Sequence, residues 1–146
     1  MLLRGWIAVS LLLGIGVAAS ANAEEFDRTF AAARGTRLQV RLFGGDVVVR
    51  AWDRDAVRVR ATHFRTDTID VGIDTQAIRV SARATQGTPH AIDVQLDVPA
   101  WMGIDIKGTY LDIAVDGTRA DVAAETVRGD IKVRGGAGVV TLKSVD

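Results

Sequence analysis

The side chains able to do chemistry in this sequence are few, and their spacing keeps them apart. The two histidines, His63 and His90, lie in different segments with no Glu or His at ligand spacing beside them. A metal site needs three or four convergent donors. His63 therefore reads as a strand-end residue and His90 as a turn residue next to Pro89; no metal and no cofactor are expected. Beyond residue 23 the serines are Ser81 and Ser144, and neither stands in a Gly-x-Ser-x-Gly elbow. The chain has no Cys, which removes thiol nucleophiles, disulfides and cysteine-based zinc sites. Carboxylates are plentiful at Asp67, Asp70, Asp74, Asp93, Asp97, Asp105 and Asp112. A pair of acids flanking a glycosidic bond can cleave it, so a polysaccharide-acting β-helix enzyme using paired Asp residues is the alternative reading. These Asp residues fall, however, on the charged faces of alternating segments, where Arg and Lys of other strands would pair with them. No catalysis is expected.

The surface group with the clearest binding chemistry is Arg50, Trp52, Arg58 and Arg60. Residues 46–52 and 56–62 read as two strands joined by a three-residue loop, 53–55. That hairpin sets Ala51 opposite Val57, Val49 opposite Val59 and Val47 opposite Ala61, all apolar and on one side. A slip by one residue would set arginines against valines, so the pattern defines the register. The other side then holds Arg50 directly across from Arg58, with Trp52 and Arg60 adjacent. Like charges in that position repel. Asp side chains of a neighbouring strand, stacking on Trp52 or an anionic ligand would offset the repulsion. Trp101, just after Pro99, reads as a plug between sheets.

The elements that must carry these residues are strands. Leu38, Val40 and Leu42 alternate with Arg37, Gln39 and Arg41; the same period of two runs through 69–74, 78–83, 92–98 and 111–116. Each segment has one apolar and one charged face, as in a sheet buried on one side. Residues 24–34 are the one stretch with a helical reading. Glycines fall at the corners between segments, including Gly44-Gly45, Gly117, Gly129 and Gly135-Gly136, where tight turns call for positive φ. The fold class is therefore all-β: antiparallel hairpins passing into a solenoid-like or sandwich-like strand repeat.

An 18-residue shift aligns the C-terminal part with itself. Asp112 falls on Asp130, Ile113 on Ile131, Val115 on Val133, Gly117 on Gly135, Val122 on Val140, Thr126 on Ser144 and Val127 on Val145. A repeat of strands and glycine corners must be covered by its neighbour to bury its apolar side. Asp146 aligns with Arg128, in mid-pattern, so the repeat domain is expected to be incomplete at its C-terminus. Its last edge, at Val139, Val140 and Leu142, is a candidate for self-association. Arg128-Gly129-Asp130 is the start of a repeat strand. Val140 stands where a calcium-binding glycine-rich repeat would place Asp.

The 146 residues carry 18 Lys+Arg against 18 Asp+Glu. A balance of zero argues against a nucleic-acid partner, whose affinity comes from neutralised phosphates. The 48% hydrophobic content argues against disorder. The first 23 residues read as a signal peptide: Arg4 near the start, a 15-residue uncharged run over 5–19, and small residues at Ala21 and Ala23. Cleavage is expected between Ala23 and Glu24, leaving one domain over 24–146 in the periplasm or at the cell surface.

The order of features resembles the bacterial "putative adhesin" family of exported β-repeat proteins. The likeness rests on Gly-x-x-Leu-x-Val at 35–40, Gly-Gly-Asp-Val-Val-Val-Arg-Ala-Trp-Asp at 44–53 and Val-Arg-Val-Arg-Ala at 57–61. Leu-Asp-Val-Pro at 96–99 and Gly-Asp-Ile-Lys-Val at 129–133 complete it. Turns that carry Asn-Gly in that family hold Gly44-Gly45 and Arg128-Gly129 here. The resemblance implies a solenoid or sandwich of strands and a binding or structural role in the envelope, with an unidentified envelope protein or an anionic polymer as partner.

Overall fold

The computed structural model describes residues 23–135 and 137–145. Residues 1–22 of the expected leader lie outside the described residues, as does Asp146. Among the described residues, ten strands form one hydrogen-bonded mixed sheet: β1 (Ala23–Ala31), β2 (Arg37–Trp52), β3 (Ala56–Phe64), β4 (Asp67–Ile73), β5 (Ala77–Ala84), β6 (Asp93–Pro99), β7 (Ile104–Asp116), β8 (Val122–Thr126), β9 (Ile131–Arg134) and β10 (Val140–Ser144). No helix occurs among the described residues.

The long strands β2 and β7 organise the sheet because each turns a corner without ending. In β2 the buried positions are Leu38, Val40 and Leu42, then Val47 and Val49; in β7 they are Ile104 and Ile106, then Leu111, Ile113 and Val115. The burial parity flips at each corner, so the strand keeps its apolar side inward as its direction changes. At the β2 corner Gly45 adopts φ +115°, and a Cβ there would collide with the backbone of Ile92. Only glycine fits such a position. The first halves of β2 and β7 join the order β4-β5-β2-β7-β8-β10, and the second halves join β1-β3-β6-β2-β7-β9. Buried residues of both halves form one core cluster.

The 18-residue shift is a pairing register. Ile104 lies beside Val122 and Val122 beside Val140, while Ile113 lies beside Ile131; all these pairs are parallel. Acid side chains stitch successive repeats. The Asp112 carboxylate accepts the Asp130 N–H at 2.8 Å, and Asp121 accepts the Val139 N–H at 2.8 Å.

Two expectations are corrected. Residues 24–34 are not helical: β1 pairs with β3 over its whole length. Phe26 and Phe30 are four apart, a spacing that puts them on one side of a strand as well as of a helix. They sit beside Ala61 and Val57 and pack on the core. The second correction concerns β2 and β3, which are not a hairpin. Strand β6 lies between them, parallel to β2 and antiparallel to β3. Leu96 separates Val49 from Val59 with the same apolar parity, and Asp97 separates Arg50 from Arg58. An acidic strand between two basic ones resolves the charge conflict that direct pairing creates.

Candidate ligand-binding cleft

The link between β2 and β3 must step across the end of β6. Two strand spacings are about 10 Å, and the four peptide steps from Trp52 to Ala56 reach about 14 Å, so three residues suffice. The Trp52 Nε1–H donates to the Ala56 carbonyl at 2.7 Å and braces this arch. Trp52 lies in register beside Pro99, and the chain leaving β6 runs beneath the arch through Ala100 to Trp101.

The arch and the turn after β6 enclose an open cleft of about 480 Å³. Its walls bring together Trp52, Trp101, Arg34, Arg54 and Arg119, with Asp53 and Asp55. Trp101 is half-buried against the core, as a plug would be, but its indole N–H points to the cleft side and donates to Asp55 at 2.8 Å. The Arg54 guanidinium lies 5.3 Å from the centre of the Trp52 ring, and that of Arg34 lies 5.9 Å from the Trp101 ring. Both distances are within cation–π range. Arg34, Arg54 and Arg119 are exposed, and none enters an ion pair among the described residues. The cleft thus offers three guanidinium groups with no carboxylate partner among the described residues, two of them resting on its indole rings.

The group expected to bind ligands divides. Trp52 lines the cleft. Arg58 donates to both carboxylate oxygens of Asp27, at 2.9 and 2.7 Å, and this hydrogen bonding holds the Asp27 carboxyl below its ordinary range. Arg60 pairs with Asp97 at 3.1 Å. Arg50 lies in register between Asp97 and Asp116, makes no ion pair among the described residues, and stands on the same side of β2 as Trp52. The charged part of this row reads Arg58, Asp97, Arg50, Asp116, Arg134 across five strands. Alternating sign stabilises such a face. Arg34, Arg54 and Arg119 had no signal in the sequence, because they come from three separate loops that only the topology gathers.

The remaining candidates stay dispersed. His63 Nδ1 lies 2.9 Å from the carbonyl of its neighbour Phe64. His90 meets Asp67, whose side chain is fully buried, through Nδ1 at 2.8 Å and through its backbone N–H at 3.1 Å. Neither Ser81 nor Ser144 bonds to a histidine among the described residues; Ser144 donates to the Gly129 carbonyl. Asp70, Asp74, Asp97 and Asp105 pair with Arg83, Arg79, Arg60 and Arg41. Asp93 and Asp112 accept backbone N–H groups instead. Ala23 and Glu24, the expected cleavage pair, open β1 beside Phe64 and His63 and are exposed.

Fold and site together define an all-β protein with a mixed sheet and an open cleft lined by arginine and tryptophan. No protein-family model and no curated protein matches the sequence. Among solved structures, it is similar to a putative cell adhesion protein from Clostridium sporogenes, with 8% identity and a TM-score of 0.41 over 84% of this chain and 100% of that one. It is also similar to a putative adhesin from Parabacteroides merdae, with 8% identity and a TM-score of 0.39 over 86% of this chain and 97% of that one. A third is a putative lipid binding protein from Parabacteroides distasonis, with 11% identity and a TM-score of 0.42; the match covers 86% of this chain and 60% of that one. Two of the three names belong to the adhesin class that the sequence motifs resemble. At these identities and TM-scores, the functional reading rests on this chain's own geometry.

Proposed function

We propose that this chain is an exported cell-envelope protein of solenoid type whose role is binding, and that its cleft takes an anionic polymer such as an acidic polysaccharide. The observation that carries the reading is a cleft lined by two indole rings and three exposed arginines, Arg34 and Arg54 over the rings and Arg119 beside them, none in an ion pair among the described residues. Guanidinium groups recognise carboxylate, sulfate and phosphate in forked geometry, and indole faces cover the apolar faces of sugar rings. Arg50, on the outward side of β2 two residues before Trp52, stands between Asp97 and Asp116 and belongs to the alternating row rather than to the cleft. The 18-residue parallel register supports the solenoid reading, and the leader at 1–23 supports export.

The test is binding of the purified full chain to a polyuronate and to a neutral glucan at low and high salt. The polyuronate should bind and the neutral glucan should not, with affinity falling as salt screens the exposed charges. Arg54→Ala with Arg119→Ala should lower the affinity at least about tenfold, the loss of ~1.4 kcal/mol or more, with the circular dichroism unchanged. Equal binding of both polymers, or a double variant that binds as the parent does, would sink the proposal.

A further inference from the structure

We infer that the cleft is built for a dipolar chain: an acidic polysaccharide whose sugars also carry free ammonium groups, its acids meeting the arginines and its ammonium meeting Asp53. The inference rests on the cleft reading and narrows the ligand. Three guanidinium groups and two carboxylates line the same cleft, Arg34, Arg54 and Arg119 with Asp53 and Asp55. All five residues are exposed. No ion pair forms between the two sets among the described residues. On the sheet faces acid and guanidinium do close on each other, as Arg58 with Asp27 and Arg60 with Asp97. In the cleft they are held apart.

The tryptophans hold them apart. An indole has a negative face and a positive edge. Trp101 uses both: the Arg34 guanidinium lies 5.9 Å from its ring centre, and its N–H donates to Asp55 at 2.8 Å. Trp52 keeps Arg54 at 5.3 Å from its ring centre and gives its N–H to the Ala56 carbonyl. Arg54 stands between Asp53 and Asp55 in the chain, yet it turns to the Trp52 ring and pairs with neither. The cations are thus sorted to ring faces and one acid to a ring edge. Asp53 is left over: it enters no ion pair among the described residues, and both indole N–H groups of the cleft are given elsewhere.

A uniformly anionic chain matches only part of this arrangement. Each acid group that reaches the arginines also meets Asp53 and Asp55, and like charges set across an interface discriminate against a partner. An ammonium beside the acid turns Asp53 from a repulsive contact into an attractive one, while the guanidinium forks still grip the acid. The sign of the effect separates this from plain charge attraction. Toward a merely positive patch, new cations on the polymer weaken binding. Toward a cleft with sorted charges they strengthen it.

The probes are hyaluronan, which alternates glucuronate with N-acetylglucosamine, and the same polymer with its acetamides hydrolysed to amines. Glucuronate is common to both. At low salt and slightly acidic pH, where the sugar amines are ammonium, the purified full chain should bind the de-N-acetylated polymer about fivefold tighter, the size of one partly exposed ion pair. Asp53→Asn keeps the side-chain shape. It should bring the two affinities together by weakening the de-N-acetylated polymer and not hyaluronan, with the circular dichroism unchanged. Arg54→Ala with Arg119→Ala should weaken both polymers. Hyaluronan bound equally or more tightly by the parent overturns the inference and leaves the cleft reading standing, as does a preference that survives Asp53→Asn. Binding of neither polymer removes the cleft reading itself, and this inference with it.

Discussion

The middle of the sheet and its β10 end are made of the same repeat and behave differently. In register across the sheet, Val40, Ile106, Ala124 and Leu142 occupy one column. The first three are buried and Leu142 is not. Residue type does not explain this, since Leu is at least as apolar as Ala. What differs is the presence of a neighbour on the far side. In this fold a side chain is a core residue because the next strand covers it, which makes burial a property of the array rather than of the strand. The same contrast separates the corners. Gly45 is threaded against the Ile92 backbone, whereas at Gly135 a Cβ would meet only Gly117 at ordinary contact distance.

The corners offer the largest break in that comparison. Gly45→Ala must escape both φ +115° and a collision with main chain that cannot move. Unfavourable backbone angles alone cost about 1–3 kcal/mol. With the clash added the loss should exceed about 4 kcal/mol and leave little folded chain. Gly135→Ala meets a similar angle, φ +78°, in ordinary space, so it should cost about 1–2 kcal/mol. Urea denaturation of the two variants measures the gap. Equal losses would mean that the inner corner is no tighter than the outer one.

Side-chain truncation probes the column itself at a smaller scale. Ile106→Ala opens a cavity between two covered faces and should cost about 2–5 kcal/mol. Leu142→Ala removes a side chain that is 47% exposed and should change stability by no more than about 0.5 kcal/mol. A Leu142→Ala loss as large as that of Ile106→Ala would show that Leu142 is covered in solution.

Much of this architecture was legible because period-two alternation and an 18-residue shift are local signals. Val115 and Val133, or Val122 and Val140, declare their register by sequence distance alone. The position of β6 was not legible by the same means. Val49, Leu96 and Val59 share one parity, so alternation cannot tell an adjacent strand from one two places away. The charge pattern held the missing information. Arg50 against Arg58 was a conflict, and Asp97 between them is its resolution. The cleft was hidden for a related reason. Arg34, Trp101 and Arg119 are far apart in sequence, and the arch that gathers them exists only because β2 and β3 straddle β6. Trp101 as a plug was read from its neighbour Pro99; its polar edge toward Asp55 depends on that arch.

The smallest effect sharpens the contrast at the opposite edge of the same half-sheet, where β4 and β5 close as an antiparallel hairpin. Asp74 fastens the turn. One carboxylate oxygen accepts the N–H groups of Gln76 and Ala77 at 2.7 and 2.8 Å, and the other accepts from Arg79. The Gln76 bond leads, followed by those from Arg79 and Ala77, in lowering the Asp74 pKa from 3.8 to about 2. A carboxyl with a lowered folded-state pKa favours the native chain above its ordinary pKa, and that contribution fades as pH falls through the folded value. Parent stability should therefore carry an acid-side decline between about pH 4 and pH 2. Asp74→Ala should lack that component, starting lower at neutral pH and converging with the parent near pH 2. The β10 edge has no Asp or Glu of its own, so Thr141→Ala should run parallel to the parent across the whole range. Parallel curves for Asp74→Ala would mean that the turn, like β10, is held without its carboxylate.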